Sequence, residues 1–196
     1  MFRNTLRTIG FMLFAGLIMP AGMLLANERY NTYPVTSSTA NWYDVEQASS
    51  LFKSMNRLAD KVTKEVGILQ VEGSQLGWRE HSARLGRAKN AINAIGEDLL
   101  ELNRMKSRLE PWQQSLINKI TPQVHEMVYQ TEEALDRVRT DKNRNALALS
   151  QYPQNIDQIY NNASQMSGTI NTVTQYAHAE QKMEALNNMN RTEPGS

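Results

Sequence analysis

Three histidines are the side chains best suited to acid–base chemistry or metal binding near neutral pH, and they stand at positions 81, 125 and 178. A di-metal site in a helical protein uses Glu-x-x-His pairs, because residues three apart project from the same side of a helix. No histidine of this chain follows a glutamate by three positions. The sequence therefore predicts no metal site.

His81 differs from the other two histidines because it lies on the apolar face of a predicted helix, beside Trp78. His125 and His178 fall one position past the apolar faces, so we expect them to be solvated. A noncovalent haem held by histidine and methionine needs both ligands at one level, and no methionine maps to the level of His81. We expect no cofactor. His81 stays the single candidate for cofactor or small-ligand binding, against the simpler interpretation that it closes one end of the core.

Charged residues form three clusters on predicted helices. Paired acids catalyse proton transfer when they converge in a cleft with pKa values driven apart. Most of these residues lie off the apolar faces, which is typical of a solvated helix surface. The clusters are two acidic groups, Glu97, Asp98 and Glu101, and Glu132, Glu133 and Asp136, and one basic group, Arg79, Arg84, Arg87 and Lys89.

No other catalytic pattern is present in the sequence. It has no nucleophile-elbow motif around a serine and no glycine-rich phosphate loop. Cysteine is absent, which excludes disulfides, thiolate metal sites, covalently attached haem and a cysteine-linked lipid anchor. We predict no catalytic residues and a protein that is not an enzyme.

The N-terminal residues have the layout of a secretory signal peptide. Residues 1 to 8 carry Arg3 and Arg7 without an acid, and residues 9 to 26 are apolar, with a helix-breaking Pro20 near their end. We predict cleavage after Ala26 and a periplasmic or secreted protein. The alternative is an uncleaved anchor, because 18 apolar residues are barely enough to span a membrane. This anchor would be the only membrane contact.

The formal charge of +1 becomes −1 once Arg3 and Arg7 are set aside. A nearly neutral protein has no general attraction for nucleic acid. Residues 27 to 41 are rich in Asn, Ser and Thr and contain Pro34, so we predict a flexible linker. Asn41 then suits a helix N-cap, with Asp44 placed to reach back as in a capping box.

Four segments follow in which apolar residues recur at alternating spacings of three and four, as on helices that pack in a bundle. The spacing crosses Pro122 and Pro153, and we interpret Pro122 as a kink in one continuous helix rather than a new start capped by Thr121. Pro111 suits the first turn of the third helix. The four seams run Val45, Ala48, Phe52, Met55, Ala59, Val62, Val66, Leu69; then Trp78, His81, Leu85, Ala88, Ile92, Ile95, Leu99, Leu102, Leu109; then Ile117, Ile120, Val124, Met127, Thr131, Ala134, Val138; then Leu149, Tyr152, Ile156, Ile159, Ala163, Met166, Ile170, Val173, Ala177.

These seams predict an all-α fold. An antiparallel up-down-up-down four-helix bundle over residues 42 to 188, with a disordered tail at 189 to 196, buries all four seams at once. The alternative is a longer hairpin or three-helix coiled coil that completes its core as a homodimer.

With complete seams and no reactive cluster, we predict a non-enzymatic protein that acts through contact with an unknown protein partner in the cell envelope. The alternatives are a bundle that carries a noncovalent cofactor or small ligand near His81, and a holdase-like periplasmic chaperone. Fold alone does not choose between them.

Overall fold

The computed structural model describes residues 41–143, 147 and 150–191. Every regular element in this part of the chain is helical, and four long helices carry it: α1 Trp42–Glu72, α2 Trp78–Met105, α3 Pro111–Thr140 and α4 Tyr152–Arg191. Short 3-10 turns follow α1 at Gly73–Gln75 and α2 at Lys106–Arg108. The predicted signal peptide, its cleavage site and nearly all of the predicted linker lie outside the described residues, as do residues 192–196.

A capping asparagine and a proline explain where α1 and α3 begin. The Asn41 side chain accepts the Tyr43 N–H at 3.1 Å, which confirms the predicted N-cap of α1. Asp44 does not reach back to complete a capping box. Its carboxylate instead accepts a hydrogen bond from Nε of Arg108, at 2.6 Å, because the chain that follows α2 returns to the start of α1. Pro111 occupies the first turn of α3, where its missing N–H has no helical partner to lose.

The four predicted seams meet in one hydrophobic core. Ile92, Ile120 and Ile159, from the second, third and fourth seams, are all buried. Val45, Trp78 and Val173 are only half-buried at the ends of their seams, and Leu149 is outside the described residues. The all-helical fold class is therefore confirmed.

Each helix packs against two others: α1 and α3 both contact α2 and α4. Contacts between α1 and α2 join opposite ends, since Gln47 bonds Glu101 and Arg84 bonds Glu65. The same holds for α1 and α4. The Asn56 side-chain amide donates to Oδ1 of Asn171 at 3.1 Å, and the Gln70 amide donates to Oδ1 of Asp157 at 2.8 Å. Lys89 and Glu132 join α2 to α3.

The two prolines behave differently. α3 continues through Pro122, and Thr121 donates its hydroxyl back to the Ile117 carbonyl at 2.7 Å instead of capping a new helix. The fourth seam also crosses Pro153, but this proline stands at the start of a helix and not in its interior. α4 begins at Tyr152, so Pro153 lies in the first turn, where a proline costs no helical hydrogen bond.

Two predicted boundaries also need correction. α2 ends at Met105, so the seam residue Leu109 is buried but lies beyond the helix and its 3-10 turn. The predicted disordered tail is wrong for residues 189 to 191, because α4 continues to Arg191. None of the helices described here is long and apolar enough to cross a membrane.

Candidate functional site

A cavity of about 180 Å³ lies where α1 ends and where α2 and α4 begin. Its floor is made of buried side chains and its rim of exposed ones, so the space is reached from solvent. The floor consists of Leu69, His81, Leu147, Tyr152 and Ile156, and the rim includes Gln70, Ser74, Pro153 and Asp157.

The polar floor of the cavity is a hydrogen-bonded pair of side chains. His81 is 3% exposed, and its Nδ1 lies 2.7 Å from the Tyr152 hydroxyl while its Nε2 lies 3.0 Å from the carbonyl oxygen of Gly73. A carbonyl only accepts, so Nε2 carries a proton, and in the neutral imidazole Nδ1 then accepts the proton of the Tyr152 phenol. Both ring nitrogens of His81 are engaged in hydrogen bonds.

Local structure places each member of this pair. The 3-10 turn after α1 turns the Gly73 carbonyl toward the first turn of α2, which carries His81. Tyr152 is the first residue of α4, and its N–H donates to the Ser150 hydroxyl at 3.1 Å. The two rings meet edge to face, with centroids 5.3 Å apart. Burial raises the pKa of the Tyr152 phenol above its ordinary value of 10.0, so the phenol stays protonated.

This geometry does not suit an axial haem ligand. Coordination through either nitrogen of His81 would break a buried hydrogen bond, to Tyr152 or to Gly73. Trp78, expected beside His81, does not line the cavity. Its ring faces the Arg79 guanidinium and the Lys142 ammonium, at 5.4 and 5.7 Å.

The remaining histidines and acids are dispersed on the surface. His125 and His178 are exposed, as their register predicts. Among the residues that the structure describes, no three His, Asp or Glu side chains come close enough to hold a metal ion.

Asp98 is the partial exception among the acids, because it is half-buried between α2 and α1. Burial raises the pKa of Asp98; a hydrogen bond to Ser54 opposes this, while repulsion from Glu101 and Glu97 adds to it. The predicted basic group is largely neutralised, because Arg84 and Arg87 both pair with Glu65 and Glu80. Of the two acidic groups, Glu133 lines a pocket in the described part of the chain, and its neighbours there are Tyr129 and the amides Gln130, Gln151, Gln154, Asn155 and Gln158 rather than a second acid.

A second candidate surface lies on the last turns of α4. Ala177 is the last buried residue of α4 up to Met189, and residues 178 to 189 are all exposed. The exposed apolar residues of this part are Tyr176, Met183, Leu186 and Met189, with 48 to 71% of each residue accessible. With Ala179 they make the α4 terminal surface.

The α4 terminal surface is not a continuation of the core seam. Continuing the seam from Ala177 by steps of three and four leads to Glu180, Glu184 and Asn187, which are polar. The apolar residues Tyr176, Ala179, Met183 and Leu186 keep the same spacing but are displaced by one position, about 100° around the helix. The core seam alone does not reveal this surface, although the displaced spacing of apolar residues is present in the sequence.

Comparison with known proteins finds no matching family model, no matching characterised protein and no matching solved structure. The site must therefore be interpreted from its own residues.

Proposed function

We propose that this chain is an exported, non-enzymatic protein that works in the cell envelope by contacting another protein. We further propose that its four helices form an up-down-up-down bundle with antiparallel neighbours. The support for export is the N-terminal sequence, with Arg3 and Arg7 ahead of an 18-residue apolar run. The support for protein contact is the α4 terminal surface.

The exposed end of α4 carries this proposal. The packed turns of α4 already nucleate this end of the helix, but in water each further turn without tertiary packing is only marginally favoured. Residues 178 to 189 have no buried side chain to stabilise them as a helix. Their apolar stripe has the three-four spacing with which one helix packs against another. A partner helix would bury the stripe and stabilise this segment.

We identify the partner as an amphipathic helix of a different protein. Glu180 and Lys182 flank the stripe on opposite sides. In a parallel pair of identical helices Lys182 would face Asn187, and in an antiparallel pair Lys182 would face another Lys182, so a second copy supplies no opposite charge. A partner helix with a basic residue on one flank and an acidic residue on the other would complement both.

Site-specific photocrosslinking in the native envelope tests this contact. A photoreactive residue at position 183 should crosslink to an amphipathic helical peptide of another protein, and Leu186→Glu should abolish that crosslink. The matched control is a photoreactive residue at Asn161, which is exposed on the same helix within the bundle. Equal yields at both positions, or only crosslinks between two copies of this chain, would reject the proposed partner.

Export is tested separately. Protein purified from the envelope fraction should begin at Asn27 by N-terminal sequencing, as cleavage after Ala26 requires. Recovery of protein that retains residue 1 in the cytosolic fraction would contradict export without bearing on the α4 contact.

Of the two other candidate functions, a specific observation favours only ligand binding near His81. The cavity at His81 supplies a solvent-accessible space with a polar floor and buried aliphatic side chains. A holdase needs an open apolar groove, whereas the four seams of this protein bury one another.

A further inference from the structure

We propose that the cavity at His81 and Tyr152 binds an uncharged, single-ring compound that carries one hydroxyl or N–H donor, such as a phenol. This site is independent of the protein contact proposed for α4. It lies at the end of the structure where α4 begins, whereas the α4 terminal surface is where that helix ends.

The size of the cavity sets the size of the ligand. Its volume is about 180 Å³, and a dry cavity of about 150 Å³ lined by aliphatic and aromatic side chains holds a benzene molecule. Leu69, Leu147 and Ile156 supply the aliphatic contacts here, and all three are buried. The space accepts one six-membered ring with a small substituent, and it is too small for a haem or a nucleotide.

The floor of the cavity decides which substituent is accepted. The Tyr152 hydroxyl gives its proton to His81 Nδ1, so its oxygen still has capacity to accept a hydrogen bond. A ligand hydroxyl that enters a purely apolar cavity is left without a partner, which is strongly unfavourable. The oxygen of Tyr152 offers that partner, so a phenol can be buried here where an apolar cavity would reject it.

The charges at the rim exclude anions. The acid on the rim is Asp157, whose carboxylate accepts a hydrogen bond from Gln70 at 2.8 Å. His81 Nε2 donates to the Gly73 carbonyl and Nδ1 lies against the Tyr152 hydroxyl, so neither ring nitrogen is directed at a ligand carboxylate. A benzoate ion would bury its charge beside Asp157, which is unfavourable.

Titration of the full chain with phenol, toluene and benzoate tests the proposal. We expect saturable binding of phenol with a dissociation constant on the order of 0.1 to 1 mM, within about tenfold of toluene. Benzoate should bind at least about tenfold more weakly than phenol. Binding of toluene without phenol would show an apolar void, and binding of none of them, or of benzoate as tightly as phenol, would overturn the proposal.

Two further measurements locate the ligand. Nuclear Overhauser effects from the ring protons of phenol should reach the methyl groups of Leu69 and Ile156, and contacts to other methyl groups only would overturn the site. Ile156→Phe should fill the space and abolish phenol binding. The control Tyr176→Phe alters an exposed tyrosine far along α4 and should leave binding unchanged. The Overhauser measurement on the unaltered chain decides the matter even if the filled variant does not fold.

Discussion

Tyr152 couples its own ionisation to folding, because the phenol is 4% exposed and donates its proton to a buried imidazole. Forming the phenolate in the folded protein would bury a negative charge in place of a neutral hydroxyl. It would also turn a donor into an acceptor that faces Nδ1 of His81, which is itself an acceptor. Alkaline pH should therefore act on the folded state through this one residue more than through the exposed tyrosines.

The sign of the effect follows from the raised pKa. Above pH 10 the phenol of the unfolded chain loses its proton while that of the folded protein keeps it, so the unfolded state binds fewer protons. The free energy of unfolding then falls with pH, by up to about 1.4 kcal/mol per pH unit from this residue. Tyr152→Phe should remove that part of the slope in urea unfolding between pH 10 and 11.5, whereas Tyr176→Phe should not. Equal slopes in all three proteins would mean that Tyr152 ionises as readily folded as unfolded.

The pairing of His81 with Tyr152 is a contact between two helices that could not be predicted from the sequence. Both residues lie on predicted seams, and their burial follows from the period. Their contact depends on the relative heights of α2 and α4, which the turn at Gly73–Gln75 and the start of α4 determine. The spacing of apolar residues shows which face of its own helix a residue lies on. It does not show how far one helix is shifted along its neighbour, so the cavity was not predictable.

Helix interiors were more predictable than helix ends for a related reason. Seam spacing is a property of many residues, whereas a boundary depends on one or two. The spacing continues on both sides of Pro153, so it cannot distinguish a proline inside a helix from one in the first turn. Helix-forming residues such as Glu184, Ala185 and Leu186 carry α4 past its last buried side chain, and the asparagines near the end do not stop it.

Pro122 provides a test at the scale of a helix. A proline in a helix interior lacks the N–H that would bond the carbonyl four residues earlier, here that of Asn118, and costs about 3 kcal/mol. Pro122 is exposed, so replacement by alanine changes little packing. Pro122→Ala should raise the free energy of unfolding by about 1 to 2 kcal/mol, after allowing for the greater freedom of the unfolded chain.

The matched control for this substitution is Pro111→Ala, in the first turn of the same helix. Its N–H has no helical partner, so the change should lie within about 1 kcal/mol of zero. Urea unfolding monitored by circular dichroism measures both variants. If Pro122→Ala stabilises no more than Pro111→Ala, the helix has adapted to its internal proline at no cost.

At the scale of the whole molecule, one shared core forms the fold. Each helix contributes a seam, and the seams are buried against one another across α1, α2, α3 and α4. The absence of cysteine means that no disulfide holds this arrangement. Hydrophobic burial must stabilise it. The net free energy of unfolding is small compared with the gain from burial and the cost in conformational entropy, which nearly cancel. A single buried charge should therefore affect all four helices together.

Val124 and Val128 make this a matched comparison, because they are one turn apart on α3 and differ in exposure, at 2% and 42%. Valine and aspartate have similar helix propensities, so Val→Asp at either position changes the helix itself little. At Val124 the carboxylate would be buried without a partner and cost several kcal/mol, most of the stability of a small domain. We expect Val124→Asp to lose its cooperative thermal transition and its dispersed amide spectrum, as should Ile95→Asp in α2. Val128→Asp should keep a cooperative transition, with a free energy of unfolding within about 1 kcal/mol of that of the unaltered protein, because its carboxylate reaches water. Similar melts for the two valine variants would mean that position 124 does not face the common core, and the register of α3 would have to be reassigned.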